Sequence, residues 1–190
     1  FLLMNETVIF ILRSVIDIYA SLLLIRLLLQ LVQANFYNPI CQTLFKVCAP
    51  LVEPLNKILP TIGTFNMAAL AAAILVKWSF YLLLMAFGAV AISDILVYLA
   101  VAGFELLRTL IEIYFWGIFI LVISSWVGTT QHPTVALVSQ VVDPYMSPFR
   151  NLIPPIGMID ISPMAAIFTL MIIRAKVLPM LGGLILPFLS

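Results

Sequence analysis

Charge is what this sequence has least of. Only 9% of its 190 residues are charged, nine Lys or Arg against eight Asp or Glu, while 64% are hydrophobic and the mean hydropathy is +1.23. A soluble domain carries roughly 25% charged side chains, so a water-soluble fold is excluded and a membrane protein is expected. A net charge of +1 leaves no basic surplus to hold a polyphosphate backbone, which excludes nucleic-acid binding by charge. Histidine is nearly absent: His132 has no second histidine or cysteine pair at ligand spacing, so no metal and no cofactor is expected. The two cysteines, Cys41 and Cys48, fall on one expected helix, where about 10 Å of rise separates them and disfavours a disulfide. No polar stretch is long enough to fold as a separate catalytic domain. Phe1 to Val32 lacks a basic leader and a small-residue cleavage signal, so it is expected to be retained as a span.

What the chain does have is an internal repeat. Pro39, Pro50, Pro54, Pro60, Gly63 and Asn66 superpose on Pro133, Pro144, Pro148, Pro154, Gly157 and Asp160 at a constant offset of 94. Upstream the offset becomes 95, where RSVIDIY (Arg13 to Tyr19) falls on RTLIEIY (Arg108 to Tyr114). The matches are mostly prolines and polar residues, which a chance pattern in apolar sequence would not single out.

Each copy reads as apolar helix, proline-rich segment, apolar helix. The expected fold is an all-α membrane protein of two tandem parallel repeats. Each repeat has a transmembrane helix, a proline-kinked amphipathic interfacial helix and a second transmembrane helix, giving about four spans. Repeat 1 covers 6–91, with spans 6–33 and 66–91 and the interfacial helix at 39–59. Repeat 2 covers 100–190, with spans 104–128 and 162–178 and the interfacial helix at 133–153. A break is placed near Ile92, Ser93 and Asp94, because one helix from Asn66 to Val127 would be about 90 Å long.

In the proline-rich segment Ile40, Leu44, Val47, Cys48, Leu51, Leu55 and Ile58 recur at helical spacing, while Gln42, Lys46, Glu53 and Lys57 fall elsewhere. Asn38 before Pro39 reads as a cap with proline at the first helical position. Pro50 and Pro54 are expected to bend or divide the helix, and Pro60 and Pro154 to end it. Asn66 and Asp160 open the next helices, with Ser162 before Pro163 as another cap.

The polar candidates inside the spans are Arg13, Asp17, Arg26, Gln30, Arg108 and Glu112. Arg13 with Asp17, and Arg108 with Glu112, stand one turn apart and are expected to pair within their helices. Snorkelling towards the core edge is the structural alternative to a water-lined path for these groups. Arg13, Arg108, Arg174 and Lys176 lie towards one side and Arg26, Lys46, Lys57 and Arg150 towards the other. That tie leaves the orientation undecided by the positive-inside rule.

The blocks RLLLQLVQANFYNP and PLVEPLNKILPTIG, with SSWVGTTQHP and DPYMSPFRNLIPPIGMIDISP in the second copy, resemble the YggT family, also called YlmG, in its two-repeat proteobacterial form. The resemblance implies a multi-pass protein of the bacterial inner (cytoplasmic) membrane. Family members are linked to osmotic or ion homeostasis, to cell division, and in plastids to nucleoid distribution and cytochrome assembly. Where members often carry paired basic residues, this chain has one in each copy, Lys57 and Arg150, which lowers the expectation of anionic-lipid binding.

The function expected is therefore a non-enzymatic scaffold or assembly protein, with membrane lipids and a membrane-protein partner or a second copy as its contacts. An ion channel or transporter subunit is the alternative. No catalytic residue is assigned, because His132, Asp143, Ser124 and Ser125 are the sole approach to a nucleophile set and nothing in the sequence fixes their geometry.

Overall fold

The computed structural model describes residues 6–88, 95–154 and 160–185. The first apolar run forms α1 (Glu6–Leu31), 26 residues and about 39 Å long. It closes on a left-handed residue, Gln33 (φ 51°), with the Ala34 N–H reaching the Leu29 carbonyl at 2.9 Å and the Gln33 N–H reaching the Gln30 carbonyl at 3.1 Å. That is the Schellman pattern, which satisfies the last orphan carbonyls. Next comes α2 (Pro39–Asn56), capped by Asn38, whose Oδ1 accepts the Ile40 N–H at 2.9 Å. Two-residue strands β1 (Thr61–Ile62) and β2 (Phe65–Asn66) pair antiparallel around Gly63 at φ 61°. Asn66 then caps α3 (Met67–Ala86), accepting the Ala69 N–H at 2.8 Å.

The second copy repeats this order with α4 (Ile95–Val127), α5 (Pro133–Leu152) and α6 (Ser162–Ile172), the last continuing through a π-helical turn, Ile173–Val177, into α7 (Leu178–Ile185). Helix α4 ends as α1 does: Gly128 stands at φ 76° and the Thr129 N–H reaches the Ser124 carbonyl at 3.0 Å. His132 caps α5 as Asn38 caps α2, its Nδ1 accepting the Thr134 N–H at 3.3 Å. Four stretches, Glu6–Leu31, Met67–Ala86, Ile95–Val127 and Ser162–Leu184, are long and apolar enough to cross a membrane. The chain is a multi-pass, all-α membrane protein of two repeats.

The repeat extends to the packing. Leu23, Cys48, Val52 and Ala72 are buried at the centre of the first copy, and Ile118, Val142, Met146 and Ala166, their equivalents at offsets of 95 and 94, are buried at the centre of the second. Tyrosines brace the interior: Tyr19 Oη donates to the Val47 carbonyl, tying α1 to α2, and Tyr145 Oη donates to the Ala166 carbonyl, tying α5 to α6. Helices α1 and α4 run parallel, since Arg13 meets Glu105 near their starts, while Ile25 and Leu29 face Trp116 and Ile120 across a cleft further along.

Several expectations are corrected. Pro50, Pro54, Pro144 and Pro148 do not divide their helices; α2 and α5 run on through them, and all four prolines lie on the exposed side. Helix α4 starts at Ile95 rather than 104, and the last span continues past 178, through the π turn into α7. Ser162 is not the cap of α6. Asp160 takes that role, its Oδ1 accepting the Ser162 N–H at 2.9 Å and also the Ser162 hydroxyl. Gly157 and the break at Ile92, Ser93 and Asp94 lie outside the described residues.

The apolar stripe of α2 is wider than its buried face. Cys41, Cys48 and Val52 are buried, while Ile40, Val47 and Leu51 are exposed. At about 100° per residue the exposed apolar group is centred about 100° to one side of the buried group, and Gln42, Lys46 and Glu53 about 120° to the other. The helix therefore has three sectors: protein-facing, apolar and polar.

Candidate functional site

Inside the spans, polar side chains converge from every crossing helix. Helix α1 supplies Arg13, Asp17 and Ser21 at successive turns, so all three share one line. Helix α3 supplies Lys77, its one charge, and Tyr81 one turn on. Helix α4 supplies Glu105, Arg108, Thr109 and Glu112 on one face. Arg174 comes from the π turn. A cavity of 350 Å³ opens among the residues of α1, α3 and α4.

Of the two intrahelical pairs expected, Arg13–Asp17 forms, as the longer of two contacts to Asp17, and Arg108–Glu112 does not. Lys77 Nζ lies 2.5 Å from Asp17 Oδ1, whereas Arg13 Nε is 3.9 Å from the other Asp17 oxygen. Arg13 also reaches Glu105, Nη2 to Oε1 3.0 Å, and Tyr81 Oη donates to the same Glu105 oxygen at 2.8 Å. Its guanidinium also stands 5.7 Å from the centre of the Phe80 ring. Glu112 pairs with Arg174 at 3.2 Å, not with Arg108. The expected Arg108–Glu112 pair is absent because Arg174 reaches Glu112 from a neighbouring helix, leaving Arg108 exposed and without an ion-pair partner among the described residues.

Asp17 and Glu112 are repeat equivalents, so both copies join an acid on the first span to a base on the second. The two bases, Lys77 and Arg174, are one turn out of register. A carboxylate withdrawn from water is costly unless paired, and each of the three here has a cation on another helix. The hydroxyls are engaged locally: Ser21 donates to the Asp17 carbonyl and Thr109 to the Glu105 carbonyl.

Arg26 and Gln30 are not brought into this cluster. Arg26 is buried against α2, with Nη1 3.3 Å from the Phe45 carbonyl and its guanidinium 4.7 Å over the Phe45 ring. Its Nε has no hydrogen-bond partner. Counting along α1, Arg26 sits about 14 Å closer to the α2 end than Asp17 does, so it fastens α2 to α1 rather than joining the ion pairs.

Between the repeats a second cavity of 450 Å³, almost wholly apolar, runs from Ser21, Thr109 and Glu112 down to Leu137 and Val141 of α5. The turn residues of the repeat stay structural: Pro39 and Pro133 sit in the first turns of α2 and α5, Pro60 and Pro154 follow their ends, and Gly63, Asn66 and Asp160 shape the connections. Of the nucleophile set, His132 serves as a cap and Asp143 pairs with Arg150, two turns on along the same face of α5. In α2, burial pushes the Cys41 and Cys48 thiols up from their ordinary value.

Sequence reasoning missed Lys77, Tyr81 and Glu105, and took Arg174 only as a topology marker. A lone charge in an apolar stretch, as Lys77 is, was the available signal.

The family model described as CCB3/YggT matches residues 5–90 and 100–181, both copies in turn. The chain belongs to the CCB3/YggT family. It is 34% identical to the protein called "Uncharacterized protein YggT" of Escherichia coli (strain K12), over 96% of each chain. An uncharacterized protein of Pseudomonas aeruginosa is 32% identical over 95% of this chain and 93% of its own. One from Haemophilus influenzae is 30% identical over 95% and 96%. No solved structure matches the chain at a significant level. The boundary between the two CCB3/YggT units thus falls between α3 and the body of α4, so the Arg13–Glu105 pair bridges one unit to the other.

Proposed function

We propose that this CCB3/YggT chain is a non-enzymatic scaffold or assembly protein of the bacterial inner membrane, serving membrane-complex biogenesis, cell division or osmotic homeostasis. The observation that carries it is the cross-helix ion pairing: every carboxylate of the span-embedded cluster is matched to a cation on another helix. Polar groups spent on joining helices favour a fixed frame over a solute path. The three-sector burial of α2 suits a helix at the lipid boundary, its apolar sector towards acyl chains and its polar sector towards water. The turn that leads into α2 meets α5, Asn38 Nδ2 donating to the Pro133 carbonyl and the Asn35 N–H to Gln140 Oε1, so the polar sectors of the two helices are offered as a docking surface. Photo-crosslinkers at Lys46 and Arg150 in native membranes are expected to trap a defined partner; a chain that crosslinks to nothing from either position would count against the scaffold.

The 350 Å³ polar cavity supports a second reading, an ion channel or transporter subunit. Reconstituted vesicles decide between the two: the scaffold predicts no potassium, sodium or proton flux under an electrical or osmotic gradient.

A further inference from the structure

The joint between the two repeats is lopsided. The second copy buries Leu106 in the first copy's cluster of Leu23, Leu27, Ala69 and Ala72, with Leu110 and Ile113 packed on it. The equivalents of these three in α1, at an offset of 95, are Ile11, Val15 and Ile18, and they are 56–62% exposed where Leu106 is 4%. The joint continues into α5, whose buried Val141 packs with Leu28, Ala34 and Cys41, while its equivalent in α2, Val47, is exposed.

The receiving side is unmatched in the same way. Leu70 and Ile74 of α3 pack on the first copy's cluster, as Leu110 and Ile113 do. Their equivalents in α6, Met164 and Phe168, are 71% and 63% exposed, and Ile123, the equivalent of Leu28, is exposed too. A two-fold joint would bury both members of each equivalent pair; this one buries one of each, which makes it head-to-tail. Such a joint leaves a donor face at one end of the chain and a receiver face at the other.

We propose that a second copy of the chain occupies these faces, its α1–α2 face (Ile11, Val15, Ile18, Val47) docking on the α4–α6 face (Ile123, Met164, Phe168) of its neighbour as the second repeat docks on the first. Both repeats point the same way through the bilayer, so the relation between units is a rotation about the membrane normal, and chains joined by it form an arc that closes into a ring where the angle divides a full turn. Exposed apolar surface alone would equally suit lipid. What singles out a second copy is that the exposed positions are the equivalents of those the chain already uses to join its own halves. The change of chemical type is at the outer ion pair: where Arg13 meets Glu105 inside the chain, Arg108 meets Phe10 of the neighbour, a ring in place of a carboxylate.

The test is cysteine crosslinking in native membranes. A chain carrying Val15→Cys and Phe168→Cys is expected to give a disulfide-linked ladder of dimers and higher species that neither single variant gives. The native thiols are buried and supply no background. Ile74→Cys with Leu110→Cys, the internal equivalents, is expected to give an intrachain bond, which shows that the variants fold and that the repeat register is right. Crosslinking by Val15→Cys alone would mean a two-fold contact and would overturn the proposal, as would a monomer by single-molecule photobleaching or an internal pair that fails to bridge.

Discussion

Lys77 is the residue whose environment is most demanding: its side chain is 6% exposed and its one carboxylate partner is Asp17. Asp17→Asn strands that ammonium, and because Asp17 itself is partly exposed the cost is set at about 1–3 kcal/mol, below that of a fully enclosed pair. Adding Lys77→Met removes the stranded charge, and thermal unfolding in detergent is expected to show most of the loss recovered. Gly117 is held by shape instead: a Cβ there would lie 2.7 Å from Val142 Cγ2, so α4 and α5 touch closely where the first copy has Leu22. Gly117→Leu is expected to destabilise by roughly 1–3 kcal/mol through overpacking, read as a fall in Tm. The charged positions were visible in the sequence, but their partners were not. Pairing by spacing along one helix favoured Arg108 with Glu112, whereas Arg174, 62 residues on, arrives by tertiary packing.

At the scale of elements the sequence was most readable where local chemistry decides the backbone. Asn38, Asn66 and Asp160 each hold a helix start, as their residue types suggest. The internal prolines were the less decisive signal, because each removes one hydrogen bond within its own helix, a loss that kinks a helix as readily as it ends one, and α2 and α5 run on through theirs. The left-handed end of α1 was not legible, since Gln33 gives no hint of a positive φ, whereas Gly128 at the end of α4 is the residue type that does. A non-glycine in that region carries strain of about 1–2 kcal/mol, so Gln33→Gly is expected to raise the unfolding free energy by about 1 kcal/mol in a denaturant titration. Asp160 makes a pH prediction. The Ser162 hydroxyl holds its carboxyl below the usual carboxylate range, so its stabilising effect is complete above that range and is lost as pH falls through the lowered value. The difference in Tm between the native chain and Asp160→Asn is expected to be constant from about pH 5 to 7 and to shrink below about pH 4.

For the whole molecule, the parallel repeat was legible because a constant offset of 94 carried matching turn residues, and it places α2 and α5 on one side of the bilayer. Lys46→Cys and Arg150→Cys, both exposed, are accordingly expected to react with an impermeant maleimide from the same side; labelling from opposite sides would contradict parallel units. The length of α4 was not legible, since its first turns are as apolar as the span itself. The head-to-tail joint has a consequence for dosage. Its two halves are tethered by one polypeptide, so they meet at an effective concentration set by the connecting segment and not by expression. The inner joint therefore forms at any abundance, and only the outer contact between chains titrates with the number of copies in the bilayer.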